Sequence, residues 1–293
     1  MREEREMFDL ILGVAKGDER IRAVYMNGSR TNPNAPRDLF QDYDIVYAVT
    51  ETASFLREPG WVDVFGERLI MQEPDRLDLA LGNPADFDRG YAYLMLLADG
   101  NRIDLTLQPV EVTRESYVQD KLTVPLLDKD GLLPAIPAPS DEDYHVQRPT
   151  AGMFEFCTNE FWWCLQNAAK GLWRDELPYA RSMFELTSRQ ELDRMAEWWI
   201  GMRHGYRLSA GKMGKYFKTY LRDDDWRLYE RTLPGGGREG FWDALFAACE
   251  LFRKLGIEVA AHGSFVYPDA DDAGMTAYLE RVRSLPPDAK AIF

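Results

Sequence analysis

The sequence predicts an α+β protein: a β-sheet with helices in an N-terminal domain, followed by an all-helical C-terminal bundle domain. Three observations predict it. Short β-branched and aromatic runs separated by turn residues fill the chain up to about residue 111. A stretch from Leu132 to Pro149 then carries Pro134, Pro137, Pro139 and Pro149 and reads as a linker. Beyond it, apolar residues recur at helical spacing. The expected division is residues 1–133, a linker over 134–149, and residues 150–293.

The elements follow in order. Met7, Phe8, Ile11, Val14 and Ala15 fall on one face of a helix over about residues 2–16, closed by Gly17. "IRAVYMNGS" (Ile21 to Ser29) reads as a strand ending in a turn, and "DYDIVYAVT" (Asp42 to Thr50) as a second strand. "ERLIMQ" (Glu67 to Gln72) is a third. In "YAYLMLLADGNRIDLTLQPVE" (Tyr91 to Glu111), Asp99-Gly100 separates two apolar runs, and both residues tolerate the positive φ of a tight hairpin turn. In the second half, Thr150 is placed to cap a helix that stops at Gly171, and a second helical pattern ends at Gly205. "GKMGKYFKTYL" reads as a helix with Lys212, Lys215 and Lys218 along one side; "REGFWDALFAACELFRKLGIEVAAHG" and a segment near Met275 to Ser284 complete the set.

The 35 Lys and Arg against 49 Asp and Glu leave a formal charge of −14. A duplex nucleic acid is held by neutralising its phosphates, so this balance argues against nucleic acid as a partner. It favours a cationic small molecule, or serves solubility alone. Cys157, Cys164 and Cys249 form no C-x-x-C pair and read as reduced, buried thiols of a cytoplasmic protein. The charged start lacks the apolar core of a signal peptide, and no run of about 18 apolar residues occurs, so no membrane partner is expected.

Asp42 and Asp44 stand at alternate positions of one strand, where side chains share a face. Two like charges forced together require something positive between them. Asp104 lies in "RIDLTL", on the return arm of the predicted hairpin. If that arm runs beside the Asp42 strand, all three carboxylates converge. Such a set suits Mg²⁺, a hard cation that takes carboxylate oxygens, waters and substrate phosphates. Upstream, Gly28 allows close approach of backbone to a ligand, and its amide and the Ser29 hydroxyl are placed to hold phosphate oxygens. Together these are the parts of a phosphoryl or nucleotidyl transfer site.

The order strand, Gly-Ser, strand with D-x-D, later strand with one Asp resembles the nucleotidyltransferase superfamily typified by DNA polymerase beta. Over "NGSRTNPNAPRDLFQDYDIVY", "FGERLIMQ", "DGNRIDLTL", "FWWC", "AKGLWRDELPYA" and "GKMGKYFKTYL" the chain resembles the aminoglycoside 6-adenylyltransferases, the streptomycin-modifying enzymes. The likeness runs essentially from end to end. It implies a nucleotidyltransferase-type mixed sheet and transfer of AMP from ATP to the 6-hydroxyl of streptomycin, with release of pyrophosphate. It implies that Asp42 and Asp44 hold Mg²⁺ against the triphosphate and that Gly28 and Ser29 bind its terminal phosphates. Asp104 then serves as metal ligand, as base for the attacking hydroxyl, or as both. It further makes Lys212 and Lys215, with Arg30 and Lys170 next, the candidates to reach the triphosphate; a solvated basic face is the other reading of the lysines. Glu160 and Trp163, one helical turn apart, are candidates to pair with and stack on a guanidinium of streptomycin, although aromatic runs on helices also serve as core. Glu185, Asp175 and Glu176 are further acidic candidates. Alternatives are a nucleotidyltransferase for another aminoglycoside or a lincosamide, or a nucleotide-binding regulatory module without turnover.

Overall fold

The computed structural model describes residues 1–293, which divide into two compact units, Met1–Asp143 and Tyr144–Phe293.

The first unit is built on a mixed six-stranded sheet. Helix α1 (Glu4–Gly17) buries Met7, Ile11 and Ala15, the stripe its spacing predicts. Strands β1 (Ile21–Asn27), β2 (Tyr43–Val49), β3 (Arg68–Gln72), β4 (Tyr91–Leu97), β5 (Arg102–Pro109) and β6 (Val124–Asp128) lie in the order β3-β4-β5-β2-β1-β6. The β2–β5 pair is parallel and every other pair antiparallel. Short helices α2 (Ala53–Leu56), α3 (Pro74–Ala80) and α4 (Val110–Ser116) fill the connections. One face of the sheet is closed by a core that includes Ile11, Val24, Ile45, Tyr47, Phe55, Phe65, Met95 and Leu105. Strand β6 was not expected: "VPLLD" is short and opens next to a proline, and only its pairing with β1 makes it a strand.

The second unit is helical. Helix α5 (Ala151–Trp173) starts where expected, with the Thr150 hydroxyl accepting the Met153 amide at 3.2 Å. It does not stop at Gly171. A Cβ there would lie 2.9 Å from the Ala180 Cβ, so this glycine lets α6 (Leu177–Met183) cross closely over α5. The expected pattern ending at Gly205 is α6 running through a π-helical turn, Phe184–Ser188, into α7 (Arg189–Arg203). After α8 (Phe217–Tyr220) and α9 (Asp223–Arg231) come α10 (Arg238–Gly263) and α11 (Asp269–Ser284). The core includes Phe161, whose ring stacks on Phe252 at 3.7 Å between centroids with Trp162 edge-on to both, and Trp199 and Trp242 are buried in the same cluster. All three cysteines are buried and unpaired, and burial pushes the Cys164 thiol up to about 11.

The segment Gly211 to Leu221 corrects the sequence reading. Lys212–Gly214 is a single 3₁₀ turn, and Gly211, Met213 and Gly214 all take positive φ. A run of left-handed residues cannot continue a right-handed helix. Lys212, Lys215 and Lys218 therefore do not form one helical stripe.

Candidate active site

Asp44 is the midpoint of the site, and the sheet decides its neighbours. In the parallel register Tyr43 pairs with Ile103 and Asp44 with Asp104. On the other side of β2, Asp44 pairs with Asn27, the last residue of β1. Asp42 precedes β2 by one residue, on the side of the strand shared by Asp44. Carboxylate oxygens of Asp42, Asp44 and Asp104 all lie within 4.8 Å of one another. The convergence expected from the hairpin is thus present, because β5 runs alongside β2.

Like charges directly opposite each other on adjacent strands are destabilising. The effect falls most heavily on Asp44. Burial, with Asp42 and Asp104 adding repulsion, pushes its carboxyl up to about 7, against partial relief from Arg102 and Arg30. A half-buried carboxylate with two acidic neighbours is a donor set that could accept a cation. Three carboxylate oxygens fit a hard divalent ion such as Mg²⁺.

Gly28 is required by this packing. It turns the chain out of β1 at φ +79, and a Cβ there would stand 2.0 Å from the Asp44 Oδ2. Only a glycine leaves Asp44 its position. Past Ser29 the chain folds back through turns: the Thr31 hydroxyl donates to the carbonyls of Gly28 and Leu122, each at 2.9 Å.

Arg30 is 8% exposed, and all three of its guanidinium nitrogens face protein. Nε donates to the Asp42 carbonyl at 3.1 Å and an Nη to the Gln41 carbonyl at 2.6 Å; the other Nη faces Glu4 at 3.5 Å. Its plane lies 3.8 Å over the Tyr43 ring. In this arrangement Arg30 clasps the entrance to β2 and so fixes where Asp42 points.

The cation nearest the triad escaped sequence reasoning. Arg102 lies two residues before Asp104 on β5, hence on the same face. It donates Nε and Nη2 to the two carboxylate oxygens of Asp104, at 2.7 and 2.5 Å, and stands 4.0 Å from Asp42. The signal was present as R-x-D in "RID". Read alone, it is an ordinary exposed strand pair.

In the second unit the candidates are dispersed. Trp163 is 62% exposed while its neighbours Phe161 and Trp162 are buried, so the core reading holds for those two and not for Trp163. Glu160 accepts from the Cys164 thiol, at 3.2 Å. Glu185 sits in the π-helical turn, 3.3 Å from the Arg189 guanidinium, and Lys170 donates to Asn167 at 3.1 Å. Lys212 lines a cavity of about 450 Å³ with Arg194, Glu197 and Trp198, while the Lys215 ammonium lies 5.1 Å over the Tyr216 ring. Two acids of α7 were missed. Burial pushes Asp193 up to about 6, although it accepts the Tyr229 hydroxyl at 2.9 Å, and raises Glu197, with Asp193 adding repulsion. Both are acids on a partly buried helix face, which sequence periodicity does not separate from a solvated one. No helix is long and apolar enough to cross a membrane.

A model of the streptomycin adenylyltransferase family matches residues 1–282. The chain belongs to the streptomycin adenylyltransferase family. Among its relatives, the aminoglycoside 6-adenylyltransferase of Campylobacter jejuni is 42% identical over 272 residues, covering 93% of each chain. That of Bacillus subtilis (strain 168) is 40% identical, covering 96% of this chain and 98% of the relative. That of Staphylococcus aureus is 34% identical, over 92% and 95%. A crystal structure of an aminoglycoside 6-adenyltransferase from Bacillus subtilis, 36% identical, covers 97% of this chain and 100% of its own, with a TM-score of 0.48.

Proposed function

We propose that this protein transfers AMP from ATP to the 6-hydroxyl of streptomycin, releasing pyrophosphate and inactivating the drug. The observation that carries the reading is the convergence of Asp42, Asp44 and Asp104 within 4.8 Å, with Asp44 held against its own charge beside Gly28. Asp42, Asp44 and Asp104 would hold Mg²⁺, which when bound neutralises phosphate charge and lowers the pKa of an attacking hydroxyl. Gly28 and Ser29 bind the terminal phosphates through the turn that leaves β1. Asp104 holds the metal, receives the attacking hydroxyl's proton, or does both, and an ion at the triad would make that hydroxyl easier to deprotonate. Arg30 acts at a distance from substrate, by holding the backbone of Gln41 and Asp42.

Residues 1–133 serve as the nucleotidyltransferase domain, 134–149 as a linker, and 150–293 as the domain that selects the drug. Trp163 supports that role by exposure, since an indole face open to solvent is available to a guanidinium. Glu160 and Glu185 supply acidic groups, and Lys212, Lys215 and Lys170 supply charge for the triphosphate. The net charge of −14 suits a polycationic acceptor in the cytoplasm.

The test is pyrophosphate release from purified protein with ATP, Mg²⁺ and a panel of aminoglycosides and a lincosamide. Release with streptomycin and not kanamycin is expected. Absence of release with every drug would remove the assignment.

A further inference from the structure

Arg102 has a place in the triad that neither metal binding nor family membership assigns. Along the β2–β5 pair the register sets Asp44 beside Asp104, and two residues earlier on the same face Arg102 stands 4.0 Å from Asp42. The same face therefore carries three negative groups and one positive one. The guanidinium grips Asp104 through both carboxylate oxygens, at 2.7 and 2.5 Å, so it occupies lone pairs that a metal ligand needs. Its side chain is 49% exposed, whereas that of Asp104 is 18% exposed. An exposed ion pair is weak and its longer partner is free to swing away at little cost.

We propose that Arg102 is a built-in counter-cation: it holds Asp104 while no metal is bound, competes with a divalent ion for that carboxylate, and releases it when metal and nucleoside triphosphate arrive together. The released guanidinium then faces incoming phosphate oxygens, for which its fork geometry is suited. The device makes metal binding conditional on nucleotide. Metal alone has to displace an arginine that gains nothing in return, whereas metal with triphosphate offers the arginine a new anionic partner. This deepens the proposed function and rests on the triad being a metal site.

Binding of Mn²⁺ to the full-length protein, followed by the loss of the free-ion paramagnetic resonance signal, tests both points without turnover. Arg102→Gln, checked for an intact melting transition, is expected to bind Mn²⁺ alone roughly three- to tenfold more tightly than wild type. The factor by which ATP tightens Mn²⁺ binding, a coupling that is reciprocal between the two ligands, is expected to shrink by roughly tenfold. Arg102→Lys keeps the charge without the two-pronged grip and is expected to fall between the two, which preserves the test if the glutamine variant does not fold. Equal or weaker Mn²⁺ binding by Arg102→Gln, or an unchanged coupling factor, would overturn the proposal. Failure of the underlying site reads differently: wild type and Asp44→Asn would then bind Mn²⁺ alike.

Discussion

Replacing Asp44 by Asn tests the electrostatic account of the triad where it is most exposed to refutation, because it predicts a gain in stability from a change that destroys function. The Asp44 carboxyl is moved from its ordinary 3.8 to about 7 by burial and by Asp42 and Asp104. At about 1.4 kcal/mol per pH unit this corresponds to ~4 kcal/mol of penalty on the ionised form in the folded protein. The site is open to water on one side, and screening takes roughly half of that, leaving about 2 kcal/mol. For a raised carboxyl, the folded protein holds its proton more tightly than the unfolded chain does. Stability contributed by the protonated group is therefore fully present below about pH 4 and is lost as the pH rises to about 7. Asn keeps the shape and removes the charge, so the variant gains relative to wild type progressively through that window and in full above it. In metal-free buffer at pH 8, Asp44→Asn is expected to melt about 4–8 °C higher than wild type, and the difference is expected to vanish near pH 4. Millimolar Mg²⁺ is expected to raise the wild-type melting temperature more at pH 8 than at pH 5, and to leave the variant unmoved, since ligation requires the carboxylate. Adenylyl transfer should be lost. A variant that melts lower than wild type at pH 8, or a difference that does not depend on pH, would refute the reasoning.

Three further outcomes follow from single contacts. Gly28→Ala forces a Cβ to 2.0 Å from the Asp44 Oδ2 at a positive φ, so it is expected to cost about 1–3 kcal/mol in chemical denaturation and to lower kcat/KM at least tenfold. Arg30→Gln removes the clasp on the Gln41 and Asp42 carbonyls; a loss of about 1.5–3 kcal/mol is expected, with kcat falling more than KM for streptomycin rises, as steady-state kinetics would reveal. Gly171→Ala places a methyl 2.8–2.9 Å from Tyr179 and Ala180 where α5 and α6 cross, and is expected to lower stability by about 1–3 kcal/mol in denaturant melts while the metal site keeps its affinity for Mn²⁺.

Much of the fold was legible because its signals are local. The α1 stripe, the Asp99-Gly100 hairpin and the Thr150 cap each depend on residues within a few positions of one another, and each lies where its spacing put it. The errors share a cause. Gly171 reads as a helix stop because glycine usually ends helices, but its missing side chain was used for crossing α6 instead. Lys212, Lys215 and Lys218 have helical spacing, yet three left-handed residues among and beside them break the helix. Strand β6 has too little pattern to be seen without its partner β1.

For the site, the sequence by itself determined which groups exist: a Gly-Ser turn after one strand, two alternate aspartates opening the next, one aspartate on a later hairpin arm, and an acidic chain to attract a cationic substrate. Side-chain alternation alone put Asp42 and Asp44 on one face, because it is a property of any strand. Only the tertiary structure decided that β5 lies parallel to β2 in a register that sets Asp104 against Asp44, that Arg30 turns inward to hold the backbone, and that Arg102 reaches the triad. The β2–β5 contacts join residues about 60 positions apart and the Arg30 contacts span a loop of 11–12, and in both cases the partners are chosen by packing of the whole sheet. The pairing of two like charges visible in the sequence was therefore a question about a cation, and the fold supplied the first one in Arg102.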